Sequence, residues 1–214
     1  MRGQVINLTV PVRHSSNQHL TSNLVRDFLD HHDPKLVDES LVEKRSAVAM
    51  VLYFGDLGPE VLLMKRAHRE GDKWSGQISM PGGREEDFDS SLLDTARREC
   101  FEELGIDLNK HAEHLGRLDD VQAMAKFKVL PLSISPFVFE VREKPPARLS
   151  DEATAWFWFP LMGALEGSFD GEFIYPGAES AWKLPCWNYE EFVIWGLTYK
   201  MLSNFLESLK SRLL

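Results

Sequence analysis

The sequence has few of the features that mark specialised protein classes. Only two of its 214 residues are cysteines, which is too few for a disulfide scaffold, so we expect a reducing, cytoplasmic environment. Nowhere do about 18 apolar residues run together, as a transmembrane helix would require. Residues 1–20 also lack an apolar core long enough for a signal peptide. We therefore expect no association with membranes.

Basic residues are scarce relative to acidic ones. The chain has 24 lysines and arginines against 33 aspartates and glutamates, a formal net charge of −9. Nucleic acids bind basic surfaces, so we expect no nucleic-acid partner. The content of hydrophobic residues (43%) and charged residues (27%) is ordinary for a globular protein. A chain of this length is sufficient for one domain with extensions.

The most informative segment is a helix-forming stretch dense in carboxylates, residues 98–105 (RECFEELG). At about 100° per residue, Glu99, Glu102 and Glu103 project from one side of a helix. Carboxylates at this spacing repel one another, and a hard divalent cation such as Mg²⁺ offsets the repulsion because it prefers oxygen ligands. The alternative is a solvated helix stabilised by surface salt bridges.

Neighbouring residues indicate that this helix is rigidly placed. Gly105 lies where a left-handed C-terminal cap is expected, and Arg98 lies one turn before Glu102, where it can hold that carboxylate as an ion pair. The glycines of Pro81-Gly82-Gly83 allow the backbone to approach a phosphate closely. An adjacent apolar face would pack on a core, and it consists of Leu93, Ala96, Cys100 and Leu104.

Together these residues resemble a Nudix box, G-x5-E-x7-R-E-U-x-E-E-x-G-U, in which U is aliphatic. The second half of the box is matched in register by Arg98, Glu99, Glu102, Glu103, Gly105 and Ile106, with Cys100 at an aliphatic position. The first half departs from the pattern. Gly83 is one residue farther from Arg98 than usual, and Ser90 occupies the position of the first glutamate. Asp89 is adjacent and can take its structural role.

The longer spacing is similar to that of the coenzyme A pyrophosphatase branch of the Nudix hydrolases. That branch also carries an upstream pattern close to L-L-T-x-R-[SA]-x3-R-x3-G-x3-F-P-G-G. Residues 62–83 (LLMKRAHREGDKWSGQISMPGG) match it at Leu62, Leu63, Arg66, Ala67, Gly76 and the final Pro-Gly-Gly. The threonine and phenylalanine are replaced by methionines, one residue is inserted, and Gly71 stands in place of the second arginine. Arg69 or Lys73 can substitute for that arginine.

The resemblance implies the α/β fold of this family, a Nudix α/β/α sandwich with a mixed β-sheet between helices. We expect an N-terminal extension with one helix over residues 1–44, followed by a Nudix hydrolase domain over 45–214 that includes the C-terminal helix. Hydrophobic periodicity predicts a helix at 20–31 and a hairpin of strands at 46–54 and 61–66. Further predicted elements are strands at 77–80, 114–119, 128–134, 137–141 and 156–159, and a helix from Phe192 to about Leu209.

The resemblance also implies a chemistry, the metal-dependent hydrolysis of a nucleoside diphosphate linked to another group X. Glu99, Glu102 and Glu103 would then hold Mg²⁺ or Mn²⁺, with a backbone carbonyl of Gly82 or its neighbour completing the shell. Arg98 would orient a glutamate, so that these four charged residues form the catalytic set. The phosphates of the substrate are assigned to Arg66, Arg84 and Gly83. The general base stays open, either a glutamate of the box or a loop carboxylate, Glu152, Glu172 or Glu179.

Three functions are consistent with these residues. The first is hydrolysis of coenzyme A or its thioesters to adenosine 3′,5′-bisphosphate and 4′-phosphopantetheine. The second is a Nudix pyrophosphatase that acts on ADP-ribose or a nucleotide sugar, an alternative that the missing upstream arginine leaves open. The third is a metabolite-binding module without turnover, against which the intact Arg-Glu-x-x-Glu-Glu argues. The C-terminal helix would pack in the core or form a homodimer.

Overall fold

The computed structural model describes residues 20–125, 128–175 and 182–213 of the chain. Its helices are α1 (Ser22–Asp30), α2 (Leu92–Leu104), α3 (Leu108–His111), α4 (Leu161–Leu165) and α5 (Gly196–Leu213), with one 3₁₀ turn at Glu39–Leu41. Its strands are β1 (Lys44–Gly55), β2 (Gly58–Arg66), β3 (Ile78–Ser79), β4 (Gly82–Arg84), β5 (Ala112–Arg117), β6 (Val121–Ala125), β7 (Lys128–Val141), β8 (Ala153–Pro160), β9 (Asp170–Tyr175), β10 (Trp182–Tyr189) and β11 (Phe192–Trp195).

Strands β1 to β8 form one mixed sheet. Its main order is β3-β2-β1-β7-β5, with β4 beside β1, β6 beside β7 and β8 beside β2. Strands β1 and β7 are parallel, whereas the other pairs are antiparallel. A separate antiparallel sheet has the order β11-β10-β9.

The alternation of side chains along β1 explains why helices cover both faces of the large sheet. Ala47, Ala49 and Val51 belong to the apolar cluster that contains the buried face of α2. Met50 and Leu52 point the other way, into the cluster that contains the buried residues of α1 and α5. The predicted α/β/α sandwich with a mixed sheet is therefore confirmed.

The N-terminal hairpin is also confirmed. Strands β1 and β2 pair with Gly55 opposite Gly58, so that the two intervening residues form the turn. Gly58 has a φ of +104°, a conformation that favours glycine. The hairpin matters for function because it places Arg66, the last residue of β2, beside the segment that precedes β4.

Two predicted boundaries are wrong. The strands predicted at 128–134 and 137–141 are one continuous strand, β7. Pro136 does not interrupt it, because its carbonyl oxygen still accepts a hydrogen bond from Leu118 N–H at 2.9 Å. The final helix begins at Gly196 rather than at Phe192, since residues 192–195 pair with β10 as strand β11.

The predicted N-terminal helix is present as α1 and packs on the body of the domain. The Thr21 side chain caps it by accepting a hydrogen bond from Leu24 N–H, and the Phe28 ring lies 6.3 Å from the Phe205 ring of α5. Residues 1–19 of the predicted extension lie outside the described residues. Among the helices that are described, none is long and apolar enough to cross a bilayer.

Candidate active site

Helix α2 carries the carboxylates of the site and is fixed at both ends. Ser91 caps its N-terminus, where the Ser91 side chain accepts a hydrogen bond from Asp94 N–H. Gly105 ends the helix with a φ of +67°, as predicted. The face that includes Ala96 and Cys100 is fully buried against the sheet. The opposite side of the helix therefore has a defined position relative to the glycine segment 82–83.

The Glu103 carboxylate lies at the centre of the site. Its side chain is only 1% exposed. Its Oε2 atom accepts a hydrogen bond from Gly82 N–H at 2.8 Å, and its Oε1 atom lies 3.8 Å from the Arg66 guanidinium. Burial raises the pKa of Glu103 to about 8, and the neighbouring charge of Glu99 acts in the same direction. A buried carboxylate of this kind is one that a cation would stabilise in its charged form.

Glu99 approaches the backbone of Gly83. A Cβ atom on Gly83 would lie 2.3 Å from Glu99 Oε1, closer than van der Waals contact permits. The absence of a side chain at this position is thus what leaves space for the carboxylate. Burial raises the pKa of Glu99 as well, against the lowering effect of Arg98.

Glu102 is the most exposed of the three carboxylates. Its side chain is 53% exposed and accepts a hydrogen bond from Arg98 Nη1 at 3.0 Å. The same nitrogen donates to Glu99 at 2.9 Å, so it joins the Glu99 and Glu102 carboxylates. Glu102 therefore adjoins Glu99 but lies outside the cavity that Glu99 and Glu103 line, and a metal site shared by all three stays a prediction.

Arg98 is held by Asp89 in a bidentate ion pair. Its Nε and Nη2 atoms donate to the two Asp89 oxygens at 2.9 Å each, and Nη2 also donates to the Arg84 carbonyl at 2.9 Å. Arg98 Nη1 donates to Glu99 at 2.9 Å. These hydrogen bonds from Arg98 lower the pKa of Asp89 to about 2. Asp89 thus fixes the arginine of the box, and its replacement of the first box glutamate stays a prediction.

A cavity of about 590 Å³ connects this charged centre to an apolar wall. Its charged end includes Glu99, Glu103, Arg66 and Arg84, together with the glycine segment 82–83. Its apolar wall comes from β7 and α5 and consists of Leu130, Leu132, Ile134, Leu197 and Met201. Arg98 and Glu102 do not line the cavity.

Among the predicted loop candidates for the general base, Glu152 lies in the cavity. Its charge contributes to the raised pKa of both Glu99 and Glu103, as expected of a nearby carboxylate. Glu172 lies on β9, where it pairs with Lys183 at 2.7 Å, and does not line the cavity. The third candidate, Glu179, is outside the described residues.

Asp72 is a site residue that the sequence analysis missed. Its Oδ2 atom accepts a hydrogen bond from Arg66 Nη2 at 3.0 Å, and its Oδ1 atom accepts one from Trp74 N–H at 3.0 Å. Although burial opposes it, these hydrogen bonds lower the pKa of Asp72. The contact joins a strand end to an irregular loop, so no periodic signal in the sequence indicates it.

The donor set fits a hard divalent cation. In residues 20–125, 128–175 and 182–213, no three His, Cys, Asp or Glu side chains converge as a complete metal site. The cavity is nevertheless lined by Glu99 and Glu103 together. Mg²⁺ commonly takes one or two protein carboxylates and fills its remaining positions with water and substrate phosphates. Gly82 contacts Glu103 through its N–H, and a role for its carbonyl oxygen stays a prediction.

Comparison with known proteins decides the family. A model of the NUDIX domain matches residues 43–175. NudL of Salmonella paratyphi B, described as an uncharacterized Nudix hydrolase, is 32% identical over 189 residues, which cover 85% of this chain and 93% of that protein. The chain belongs to the Nudix family. This Nudix hydrolase is therefore a pyrophosphohydrolase, of a family that generally uses divalent metal ions and acts on small nucleotide substrates.

Two further comparisons are more limited. The Nudix domain is 41% identical over 110 residues to an uncharacterized protein, C14C4.10c, of Schizosaccharomyces pombe, which covers 50% of this chain. The chain spans only about a third of the length of that relative (33%). A solved binary complex of a C. elegans Ap4A hydrolase aligns with a TM-score of 0.50 and 17% identity, over 79% of this Nudix chain and 97% of that one. At this identity the likeness shows the fold alone.

Proposed function

We propose that this Nudix hydrolase cleaves the pyrophosphate of coenzyme A or its derivatives. The observation that carries the proposal is a single cavity that joins the Glu99 and Glu103 carboxylates to an apolar wall. Coenzyme A has a pyrophosphate at one end of a long, uncharged pantetheine arm. In ADP-ribose and nucleotide sugars, a hydroxyl-rich sugar takes the place of the pantetheine arm. An apolar wall would offer no hydrogen-bond partners to those hydroxyl groups.

Glu99 and Glu103 would hold the metal ion, Mg²⁺ or Mn²⁺. When bound, it supplies positive charge at the pyrophosphate oxygens and promotes the ionisation of water. Glu102, which lies outside the cavity, would act through Arg98, with which it shares a hydrogen bond. Arg98 in turn orients Glu99. In this arrangement Asp89 and Arg98 are positioning residues rather than groups that contact the substrate.

Arg66 would bind a phosphate oxygen of the pyrophosphate. Its guanidinium lines the cavity and lies 3.8 Å from Glu103 at one end, while Asp72 holds the other end at 3.0 Å. A guanidinium fixed in this way presents a planar set of donors, which suits recognition of a phosphate. At Gly83, also assigned to the phosphates, the space of the missing side chain is filled by the Glu99 carboxylate, so only the backbone of this residue is left to contact a phosphate.

Glu152 would accept the proton of the attacking water. It lines the cavity, and its side chain is 45% exposed, so water reaches it freely. Its backbone is anchored on both sides of the site, because Ala67 N–H donates to its carbonyl oxygen at 2.8 Å and Ser150 N–H donates to the Glu103 carbonyl at 3.1 Å. A carboxylate on an anchored segment is suited to proton transfer at a defined place.

The test is hydrolysis of four substrates with Mg²⁺ or Mn²⁺: coenzyme A, 3′-dephospho-coenzyme A, ADP-ribose and a nucleotide sugar. We expect the highest kcat/KM with coenzyme A, and loss of turnover in Glu103→Gln. Preference for ADP-ribose or the sugar would reject the coenzyme A assignment and retain the metal chemistry. Unchanged turnover in Glu103→Gln would reject the assignment of the metal site.

A further inference from the structure

Five carboxylates and five cationic side chains line the cavity, and three of the cations form no ion pair with a described carboxylate. Two of its five lysines and arginines are paired, Arg66 at 3.0 Å from Asp72 and Arg69 at 3.4 Å from Glu152. The others have no carboxylate oxygen within 4.0 Å in the described part of the chain, and they are Lys44, Lys73 and Arg84. In a protein with an excess of acidic residues, unpaired cations in one cavity indicate an anionic ligand.

Two of these cations are neighbours on the sheet. Arg84 of β4 lies opposite Ser46 of β1 in an antiparallel pair. Lys44 precedes Ser46 by two residues on the same strand, and residues separated by two project from the same face. All three side chains line the cavity. Lys73 lies instead on the loop between β2 and β3.

Ser46 adds a hydrogen-bond donor between the two cations. The residue is only 8% exposed. Its hydroxyl has no hydrogen-bond partner within residues 20–125, 128–175 and 182–213. Since the residue lines the cavity and its hydroxyl has no protein partner there, the hydroxyl is available to a ligand oxygen.

Lys44 is separated from the pyrophosphate region along β1, whereas Arg84 lies between the two. Gly82, which donates its N–H to Glu103, is opposite Val48. Lys44 lies four residues before Val48, about 13 Å along an extended strand. A pyrophosphate bound at Glu99 and Glu103 would not reach Lys44. The positive charge of Lys44 is therefore available to a second anionic group.

We propose that Lys44, Ser46 and Arg84 form a second anion subsite, which binds a phosphate monoester of the substrate separate from its pyrophosphate. This inference rests on the proposed function, because coenzyme A carries such a group on its ribose whereas ADP-ribose carries none. Two cations and one hydroxyl match a doubly charged phosphate with several acceptor oxygens. Lys44 and Ser46 lie beside Leu132 and Ile134 of β7. Under this proposal the nucleotide end of the substrate therefore lies along β7, and the pantetheine arm lies along Leu197 and Met201 of α5. Arg84 serves the monoester, and Arg66 serves the pyrophosphate.

The test measures binding without turnover, by calorimetric titration of adenosine 3′,5′-bisphosphate and of AMP. We expect the wild-type protein to bind the bisphosphate about tenfold more tightly than AMP, a difference of about 1.4 kcal/mol. In Lys44→Gln and in Arg84→Gln the ratio of the two affinities should fall to about one. Lys73→Gln, which removes an unpaired cation from another wall of the same cavity, is the matched control and should keep the preference.

Three results would overturn the proposal: no preference in the wild-type protein, an unchanged preference in Lys44→Gln, or an equal loss in Lys73→Gln. A thermal melt of each variant establishes that it is folded. The outcome is independent of the hydrolysis assay. If coenzyme A is not hydrolysed but the preference exists and depends on Lys44, the subsite stands and the assignment of the reaction fails. If coenzyme A is hydrolysed but the protein does not prefer the bisphosphate to AMP, the assignment of the reaction stands and the subsite is rejected.

Discussion

The Gly83 backbone and the Glu99 carboxylate are so close that a methyl group on Gly83 would lie 2.3 Å from Glu99 Oε1. This contact joins the glycine segment to the catalytic helix. It means that the position of one proposed metal ligand depends on a residue that has no side chain. The glycine does not adopt a left-handed conformation, so alanine at this position tests the contact without backbone strain.

Gly83→Ala should therefore weaken metal binding. We expect the new methyl group to displace Glu99 and to lower Mn²⁺ affinity about 10- to 100-fold, the range seen when groups that orient a ligand are lost. Calorimetric titration with Mn²⁺ measures the effect. Glu99→Asp provides the companion variant, because its shorter side chain relieves the clash. When Gly83→Ala is combined with Glu99→Asp, the Mn²⁺ affinity should fall little below that of Glu99→Asp alone. If the losses of affinity in the two single variants simply add in the double variant, this explanation is contradicted.

The raised pKa of Glu103 predicts how stability depends on pH in the metal-free protein. Its folded-state pKa is about 8 against an ordinary value of 4.5. Between these values the folded chain keeps a proton that the unfolded chain has lost. The contribution of Glu103 to the free energy of unfolding should therefore be greatest below pH 4.5. It should decrease as pH rises towards 8, by up to about 1.4 kcal/mol per pH unit.

Urea unfolding in EDTA from pH 5 to pH 9 measures this dependence. Glu103→Gln should remove most of the slope and be more stable than the wild-type protein at pH 8 without metal. Adding Mg²⁺ should stabilise the wild-type protein at pH 8 and have much less effect on Glu103→Gln. Parallel slopes for the two proteins would show that Glu103 titrates normally.

Asp89→Asn should reduce activity by releasing Arg98. Asparagine has one acceptor oxygen and no charge, so it cannot keep both hydrogen bonds of the bidentate pair. We expect kcat to fall about 10- to 100-fold, as for other groups that orient a metal ligand. The free energy of unfolding should decrease by about 1–3 kcal/mol, because the pair is largely buried. Steady-state kinetics and urea unfolding measure the two effects.

Asp87→Asn is the matched control for Asp89→Asn. Asp87 is an exposed acidic residue of the same loop, two positions away. The Asp87→Asn substitution removes the same charge at nearly the same place and leaves the hydrogen bonds of Arg98 unchanged. Equal losses in the two variants would mean that loop charge, and not the Asp89–Arg98 pair, supports activity.

Glu152→Gln should lower kcat with little change in KM. The loss of a general base typically reduces the rate about 10²- to 10⁴-fold. Glu172→Gln is the control, since this residue pairs with Lys183 away from the cavity. A kcat for Glu152→Gln within a factor of two of wild type would assign the proton transfer to another carboxylate.

The parts of the site that the sequence predicts correctly are local. The cap at Gly105 and the pairing of Arg98 with Glu102 follow from positions within one helix, where spacing determines which side chains meet. The same spacing places Glu102 near Glu99, and the two carboxylates do share Arg98 Nη1. It does not indicate that Glu102 is 53% exposed and lies outside the cavity, because that depends on how α2 packs on the sheet.

The parts that the sequence does not predict depend on contacts between distant segments. The apolar wall comes from β7 and α5, and the pairing of Arg66 with Asp72 crosses a loop without periodicity. The start of α5 shows the same limit. Ile194 fits a helical stripe by spacing, but its backbone pairs with β10, and Gly196 with a φ of +65° separates strand from helix. Tertiary pairing overrides local periodicity here.

The most direct test of coenzyme A hydrolysis at this site is to identify the products formed from coenzyme A with Mg²⁺ in ¹⁸O-labelled water by mass spectrometry. We expect adenosine 3′,5′-bisphosphate and 4′-phosphopantetheine in equal amounts, with one ¹⁸O atom incorporated per cleavage, and neither product from Glu103→Gln. Intact coenzyme A after incubation with wild-type protein that hydrolyses ADP-ribose under the same conditions would contradict it.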